Sequence, residues 1–288
     1  MIEFIVYGLS ESMTIMVIAL GFHLIFGLGG VIYLCYGAFL TLGAYIIALL
    51  FKMGTGIILS IISGISLTCL LSFIFYRIVL SRVHGVLLNE ALISLAVMLV
   101  VRDVLALICG ISPFTFPTLW PEGVISFAGS IFEISRLGAM AVAPFVCLFT
   151  WLFLKYSLSG RAMRAVSQDR EAGLLMGIIP VKLISRMVVA GTCVSMIAGL
   201  LLLSFMNLTP DLGEVVLLEA LFAVILGGVG SLRGLILASF IIGFSKIFAA
   251  LWLGSELKLL IPMVIIFVIL IFRPSGMFGL TDKLEERI

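Results

Sequence analysis

Runs of about twenty apolar residues recur along most of this chain, and one of them reads IILSIISGISLTCLLSF followed at once by IFYRIVL. A helix needs about 20 such residues to cross the hydrocarbon core of a bilayer. Helices and closed barrels are the two structures that satisfy every backbone polar group there. Barrel strands are segments of about 10 residues with alternating polarity, which these runs are not. The sequence therefore predicts an all-α integral membrane protein with several spanning helices.

Composition excludes a soluble fold. The chain is 63% hydrophobic and 11% charged, whereas a soluble chain is about half apolar and about a quarter charged. Its net charge of +2 gives no indication of nucleic-acid binding. The five cysteines stand singly inside apolar runs without metal-ligand spacing, which predicts no metal site and a role in helix packing. The first apolar run lacks a small-residue cleavage site and is interpreted as a spanning helix rather than a removed signal peptide.

The apolar runs predict a polytopic bundle of about eight to nine transmembrane helices. The seventh is short and Gly-rich, which leaves a broken or re-entrant helix open as an alternative. Three prolines mark the connection 110–136 as a true loop. The predicted spans are Phe4–Phe26, Gly30–Phe51, Gly56–Tyr76, Ala91–Cys109, Leu137–Tyr156, Leu183–Met206, Val215–Leu232, Leu235–Leu253 and Leu257–Phe272.

Lysine and arginine predict the orientation of these spans. Twelve of the seventeen basic residues fall on alternate connections, and the other connections are rich in Asp and Glu. Cytoplasmic loops carry an excess of Lys and Arg. We therefore expect a multi-pass membrane protein with its N-terminus outside and its C-terminus in the cytoplasm. The twelve are Arg77, Arg82, Lys155, Arg161, Arg164, Arg170, Lys182, Arg186, Arg233, Arg273, Lys283 and Arg287.

The stretch Ser159–Ile178 is unusually polar for this chain and reads as an amphipathic helix on the cytoplasmic side. One face carries the small and apolar residues Ala162, Ala165, Val166, Ala172, Gly173 and Met176, and another carries Arg161, Arg164, Gln168 and Glu171. Such a helix can lie on a membrane or dock into a groove of a partner. A solvated connector between two spans is the alternative.

Ionisable residues inside spans indicate groups that face protein or water, because each is costly near the bilayer centre. They are Arg102, Asp103, Glu219 and Lys246; interfacial snorkelling is the alternative and suits Arg102.

No phosphate loop or nucleophile elbow occurs, and His23 and His84 lack further metal ligands at helical spacing. The sequence therefore predicts neither an enzyme nor an ATP-binding chain. LGGV occurs twice, which favours a structural repeat with Gly-rich broken helices.

Four segments resemble the inner-membrane permease family of branched-chain amino acid ABC importers, which also includes urea and short-amide permeases. They are GLGGVIYLCYGAFLTLGAY, GRAMRAVSQDREAGLLMGI, AVILGGVGSLRGLILASFIIG and FRPSGMFG, in family order. The resemblance implies one permease domain over residues 1–288 with a cytoplasmic coupling segment at 159–180. The part from Glu171 to Gly177 is similar to the E-A-A-x-x-x-G signature of the helix that docks on the ATPase.

The resemblance implies an importer of branched-chain or other small apolar amino acids, with urea or a short amide, or less readily a secondary transporter acting alone, as alternatives. The implied partners are a second, homologous permease, two ATPases that bind ATP and Mg, and a periplasmic binding protein; this chain itself holds no cofactor. The family usually has His where this chain has Tyr36, and many members have an acid at Lys246, which leaves the substrate open. The implied ATPase-coupling residues are Arg161, Arg164, Asp169, Glu171, Ala172, Gly173 and Gly177. The expected path-lining residues are Tyr36, Gly37, Gly227 and Gly228.

Overall fold

The computed structural model describes residues 2–114, 116, 120, 123–127, 130–168 and 179–279. These parts of the chain are predominantly helical, as the apolar runs predict. The helices are α1 (Ile2–Phe22), α2 (Tyr36–Lys52), α3 (Ile57–Phe75), α4 (Leu87–Cys109), α5 (Ile134–Tyr156), α6 (Leu158–Gln168), α7 (Pro180–Leu202), α8 (Leu212–Gly227), α9 (Leu232–Phe248) and α10 (Leu260–Phe272).

Helix length confirms the polytopic class. Wider π-helical turns extend α1 to Leu28 and α9 to Leu253, and α3 continues to Val83 through a π turn and one further α turn. In the described part of the chain, six helices are long and apolar enough to cross a membrane: α1, α3, α4, α5, α7 and α9 with these extensions. Helices α2, α8 and α10 are shorter, with 17, 16 and 13 residues. The predicted count of eight to nine is therefore approximate.

Contacts among helix ends and loops show which helix ends lie at the same face of the bundle. The ring of Tyr7, near the start of α1, lies 5.8 Å from that of Phe132. The Lys52 ammonium at the end of α2 lies 4.0 Å from the Phe114 ring centre. Phe114 also forms a β-bridge with Leu208, between α7 and α8. These ends share one face, called here the N-terminal face.

The other helix ends meet at the opposite face. The backbone N–H groups of Met277 and Phe278, after α10, donate to the carbonyls of Leu226 and Gly227 at the end of α8, over 2.8 and 3.1 Å. The end of α5 and the starts of α6 and α7 pack with Leu28 in one apolar cluster. The described chain therefore begins at one face and ends at the other. Which face is cytoplasmic stays a prediction from the basic residues.

Helix α1 forms the centre of the bundle, with α5, α7, α8 and α9 packed around it. Every residue from Thr14 to Phe22 is buried. Small residues let neighbouring backbones come close. A Cβ on Gly37 of α2 would lie 1.8 Å from the carbonyl oxygen of Gly213 in α8, so only glycine fits this crossing.

The predicted start of the second span, at Gly30, is wrong by six residues, because α2 begins at Tyr36. Residues 29–35 are not helical, and Gly30 has a φ of +68°. The backbone N–H groups of Ile32 and Leu34 donate instead to Glu90 and Ser94 of α4, each over 3.2 Å. These long-range bonds satisfy donors that a continuing helix would have used, so the apolar run breaks where periodicity predicts continuity.

The seventh span is a single helix, α8, and it ends where Gly228 takes a φ of +94°. The connection 110–136 is a loop as predicted, and its described part contains a hairpin that the sequence did not indicate. The hairpin pairs β1 (Val124–Phe127) antiparallel with β2 (Ser130–Glu133) on the N-terminal face.

Candidate coupling surface and membrane-embedded ion cluster

Helix α6 covers the opposite face between α5 and α7. Its first turn is capped by Ser157, whose Oγ accepts the N–H of Gly160 over 2.8 Å. Met163 is fully buried in a cluster with Leu24 of α1, Leu154 of α5 and other apolar residues. Burial of one side chain in that cluster holds the helix against the bundle and orients its outer surface.

The outer surface of α6 carries the two predicted coupling arginines. Arg161 and Arg164 are exposed, and the Arg164 guanidinium donates to the Lys155 carbonyl oxygen over 3.3 Å. Met163, which belonged to neither predicted face, takes the central buried position, and Ala165 is exposed. The other predicted coupling residues, Asp169, Glu171, Ala172, Gly173 and Gly177, lie outside the described residues.

The four predicted path residues occupy tight contacts between backbones. The Tyr36 hydroxyl donates to the Ile18 carbonyl over 2.6 Å and its side chain is buried. Gly37 abuts α8, as described above. A Cβ on Gly227 would lie 2.5 Å from backbone atoms of α9, and one on Gly228 would lie 2.3 Å from the Gly279 nitrogen. Gly227 and Gly228 thus lie together near the last described residues, Tyr36 lies against α1, and Gly37 lies against α8. Their role in a path stays a prediction.

A buried ion cluster joins α1, α8 and α9. The Lys246 ammonium of α9 lies 2.5 Å from a carboxylate oxygen of Glu11 in α1 and in direct contact with Glu219 in α8. All three side chains are less than a tenth exposed. Lys258, in the connection before α10, lies 3.7 Å from Glu11. Two carboxylates therefore share one buried ammonium, with a second, partly exposed ammonium at the edge.

Sequence reasoning found Glu219 and Lys246 but missed Glu11. The signal was available, because Glu11 is an acidic residue inside the first apolar run, as Glu219 is in its own run. The structure decides between the two interpretations of these residues. Glu219 and Lys246 are buried within the bundle rather than placed at the membrane interface.

A cavity of about 180 Å³ lies beside the cluster, between α8, α9 and α10. Glu219 and Lys246 contribute to its wall, and the remainder of the wall is apolar. Three lining residues, Leu218, Leu259 and Met263, are about half exposed. The cavity thus combines an apolar wall with a charged pair at its inner end.

Two further charged groups stabilise helix ends. At the N-terminal face, Arg102 contacts Glu214 over 2.6 Å and Asp103 over 3.0 Å and is one-third exposed, which agrees with interfacial placement. At the opposite face, buried Glu90 accepts the Gly85 N–H over 2.9 Å and contacts His84 Nδ1 over 2.6 Å. The Glu90 carboxylate also accepts the backbone N–H of Ile32, so it fixes the non-helical segment before α2.

The remaining candidates show no metal centre. Within the described ranges, no three His, Cys, Asp or Glu side chains group in a way that could hold a metal ion. His23 is fully buried at the start of the π-helical turn of α1. All five cysteines are free thiols.

Comparison with known proteins shows which family the chain belongs to. A family model for the permease component of branched-chain amino acid transport systems matches residues 4–270. The chain belongs to this family. The permease is thus a multi-pass inner-membrane transport component rather than an enzyme. No solved structure matches it.

Curated relatives cover nearly the whole permease. The high-affinity branched-chain amino acid transport permease LivH of Salmonella typhimurium is 27% identical over 94% of this chain and 93% of its own length. The corresponding protein BraD of Pseudomonas aeruginosa is 26% identical, with 96% and 94% covered. The autoinducer 2 import permease LsrD of Salmonella paratyphi B is 27% identical, with 84% and 74% covered. Such relatives are components of multi-subunit transport systems, so the permease works with partner subunits.

Proposed function

We propose that this permease is a membrane subunit of an ATP-driven importer that moves branched-chain or other small apolar amino acids across the inner membrane. The observation that carries the proposal is the family match over residues 4–270. The relatives LivH and BraD, which match over 93% or more of both chains, are named as high-affinity branched-chain amino acid transport permeases. LsrD, named for autoinducer 2 import, matches over less of its length.

In this proposal the opposite face is cytoplasmic and meets two ATPase subunits, which bind ATP and Mg. The segment 159–180 is the contact with an ATPase, the rest of the chain forms one permease domain, and a second permease and a periplasmic binding protein complete the importer. Helix α6 supports the placement, because Met163 fixes it to the bundle while Arg161 and Arg164 point outward. The excess of Lys and Arg among the helix ends of that face supports a cytoplasmic location.

The first test is transport by the reconstituted complex. Liposomes that contain the permease, its partner subunits and the binding protein should accumulate leucine when ATP is present. Unlabelled leucine, urea, short amides and autoinducer 2 should be compared as competitors. Accumulation by this chain alone, driven by an ion gradient, would replace the proposal with a secondary transporter.

The second test addresses the coupling segment. A close interface tolerates added volume poorly, and overpacking costs typically about 1–3 kcal/mol, enough to weaken binding about tenfold or more. Gly173→Leu should therefore reduce co-purification of the ATPases or uncouple ATP hydrolysis from transport. Ser112→Leu, at an exposed position of the N-terminal face, is the matched control and should do neither. Normal coupling in Gly173→Leu would make the segment a mere connector.

A further inference from the structure

We infer that the cavity between α8, α9 and α10 is a binding site for a small apolar molecule that carries a protonated amine, with Glu219 as the group that receives the amine. The inference rests on the proposed function, since amino acids with apolar side chains belong to this chemical class. It adds to that function a place in the membrane domain where such a molecule binds.

The first support is the shape and lining of the cavity. Its volume of about 180 Å³ far exceeds the roughly 10–15 Å³ that a cavity needs to hold one water molecule. Val215 and Phe222 of α8 and Pro262 and Met263 of α10 supply apolar wall. Binding sites for small molecules are mostly apolar, with a few polar groups that set orientation. This cavity has that composition.

The second support is the charge balance at its inner end. Glu11 has two cations within 4 Å, Lys246 and Lys258. Among the described residues, the cation within 4 Å of Glu219 is Lys246, which Glu219 shares with Glu11. Lys258 balances the charge of the cluster as a whole, but it lies beside Glu11, so Glu219 is the carboxylate whose charge is less compensated. Because Glu219 lines the cavity and Glu11 does not, the cation would bind on the cavity side.

The third support is that a contribution to folding stability does not by itself account for the cluster. Replacing a buried ion group by apolar residues of similar volume is often neutral or stabilising. Ionisable residues in spans commonly belong to substrate or ion pathways. A cluster that borders a cavity fits that pattern better than one enclosed in a packed core.

The exposed residues at the mouth of the cavity indicate how a ligand would enter. Leu218, Leu259 and Met263 are about half exposed, and all three lie in, or directly before, the halves of α8 and α10 that are nearer the N-terminal face. A charged ligand does not reach such a mouth from lipid. In the proposed importer, a second permease would cover this side, so that the cavity opens into the space between the two permeases.

The test measures ligand binding by the complete complex without the binding protein, so that selection by that protein plays no part. The probes are leucine and 4-methylpentanoate, which is leucine without its amino group. Leucine should raise the thermal unfolding midpoint of the wild-type complex, and 4-methylpentanoate should not. Equal shifts for both probes would refute an amine site.

Three variants locate the site. Val215→Phe fills the cavity while keeping every charge of the ion cluster, and Glu219→Gln keeps the shape but removes the charge. Both should abolish the leucine-dependent shift and lower leucine transport at least tenfold. The control Val264→Phe, at a half-exposed position of α10 outside the lining, should keep both within twofold. A wild-type shift that survives in Val215→Phe or in Glu219→Gln would overturn the inference.

The two proposals fail in distinguishable ways. If wild-type liposomes accumulate leucine with ATP but both site variants match the control, the proposed function stands and the cavity is not a binding site. If wild-type liposomes accumulate no amino acid at all, the proposed function fails.

Discussion

Removal of the Lys246 ammonium should destabilise the permease strongly. In Lys246→Met, Glu11 and Glu219 lose their common partner inside the membrane. Both carboxylates contact the same Nζ atom, one of them over 2.5 Å, so their nearest oxygens are no more than about 5 Å apart. At that separation and an effective dielectric constant of about 20, two unit charges repel by about 3 kcal/mol. Breaking a buried ion pair from one side costs about 3–5 kcal/mol, which is the same order.

Folded protein should therefore become less favoured by more than about a hundredfold, since each 1.4 kcal/mol is a factor of ten. The assay is unfolding of the purified permease in detergent micelles, followed by tryptophan fluorescence. Two further variants give the argument its control. Glu219→Gln leaves one acid with one buried ammonium and should lose much less stability than Lys246→Met. The triple change Glu11→Gln, Glu219→Gln, Lys246→Met removes the three buried charges of the cluster and should recover most of the stability.

Either of two results for the stabilities of these variants would refute the reasoning. If Lys246→Met unfolds like the wild-type protein, the two carboxylates are not held in a low-dielectric setting. If the triple variant is no more stable than Lys246→Met, the loss comes from packing of the long lysine side chain rather than from unbalanced charge.

Two other predictions concern packing and topology. Gly37→Ala should destabilise the permease by about 1–3 kcal/mol or more, because the added Cβ would lie 1.8 Å from the Gly213 carbonyl oxygen. The control Gly199→Ala, whose Cβ would meet its nearest side-chain atom at 3.1 Å, should lose less stability in the same unfolding assay. Equal losses would mean that the helices separate at little cost. In a variant without the native cysteines, a cysteine at Glu3 should react with an impermeant thiol reagent added outside, and one at Lys283 should not; the reverse labelling would invert the topology.

Much of the candidate coupling surface could be predicted from the sequence, because its signals are local. The polar stretch after α5 stands out by composition, and the described part of it is indeed a helix. Which residue holds that helix could not be predicted. Met163 faces inward because apolar residues of α1, α5 and α7 meet there, and helical periodicity does not say which side of an amphipathic stretch finds such a cluster.

Length and apolarity of the runs determined the class of this protein and the approximate positions of its helices, because a bilayer leaves the backbone few alternatives. The pattern of Gly, Glu and Arg residues carried the resemblance to the permease family. Tertiary structure alone decided that Glu11 joins Lys246 across 235 positions of the chain, and that α2 starts at Tyr36. Both depend on partners far away in sequence. A buried charge or an unpaired N–H is stabilised by whichever group the packed bundle places beside it, and that group is not written next to it in the chain.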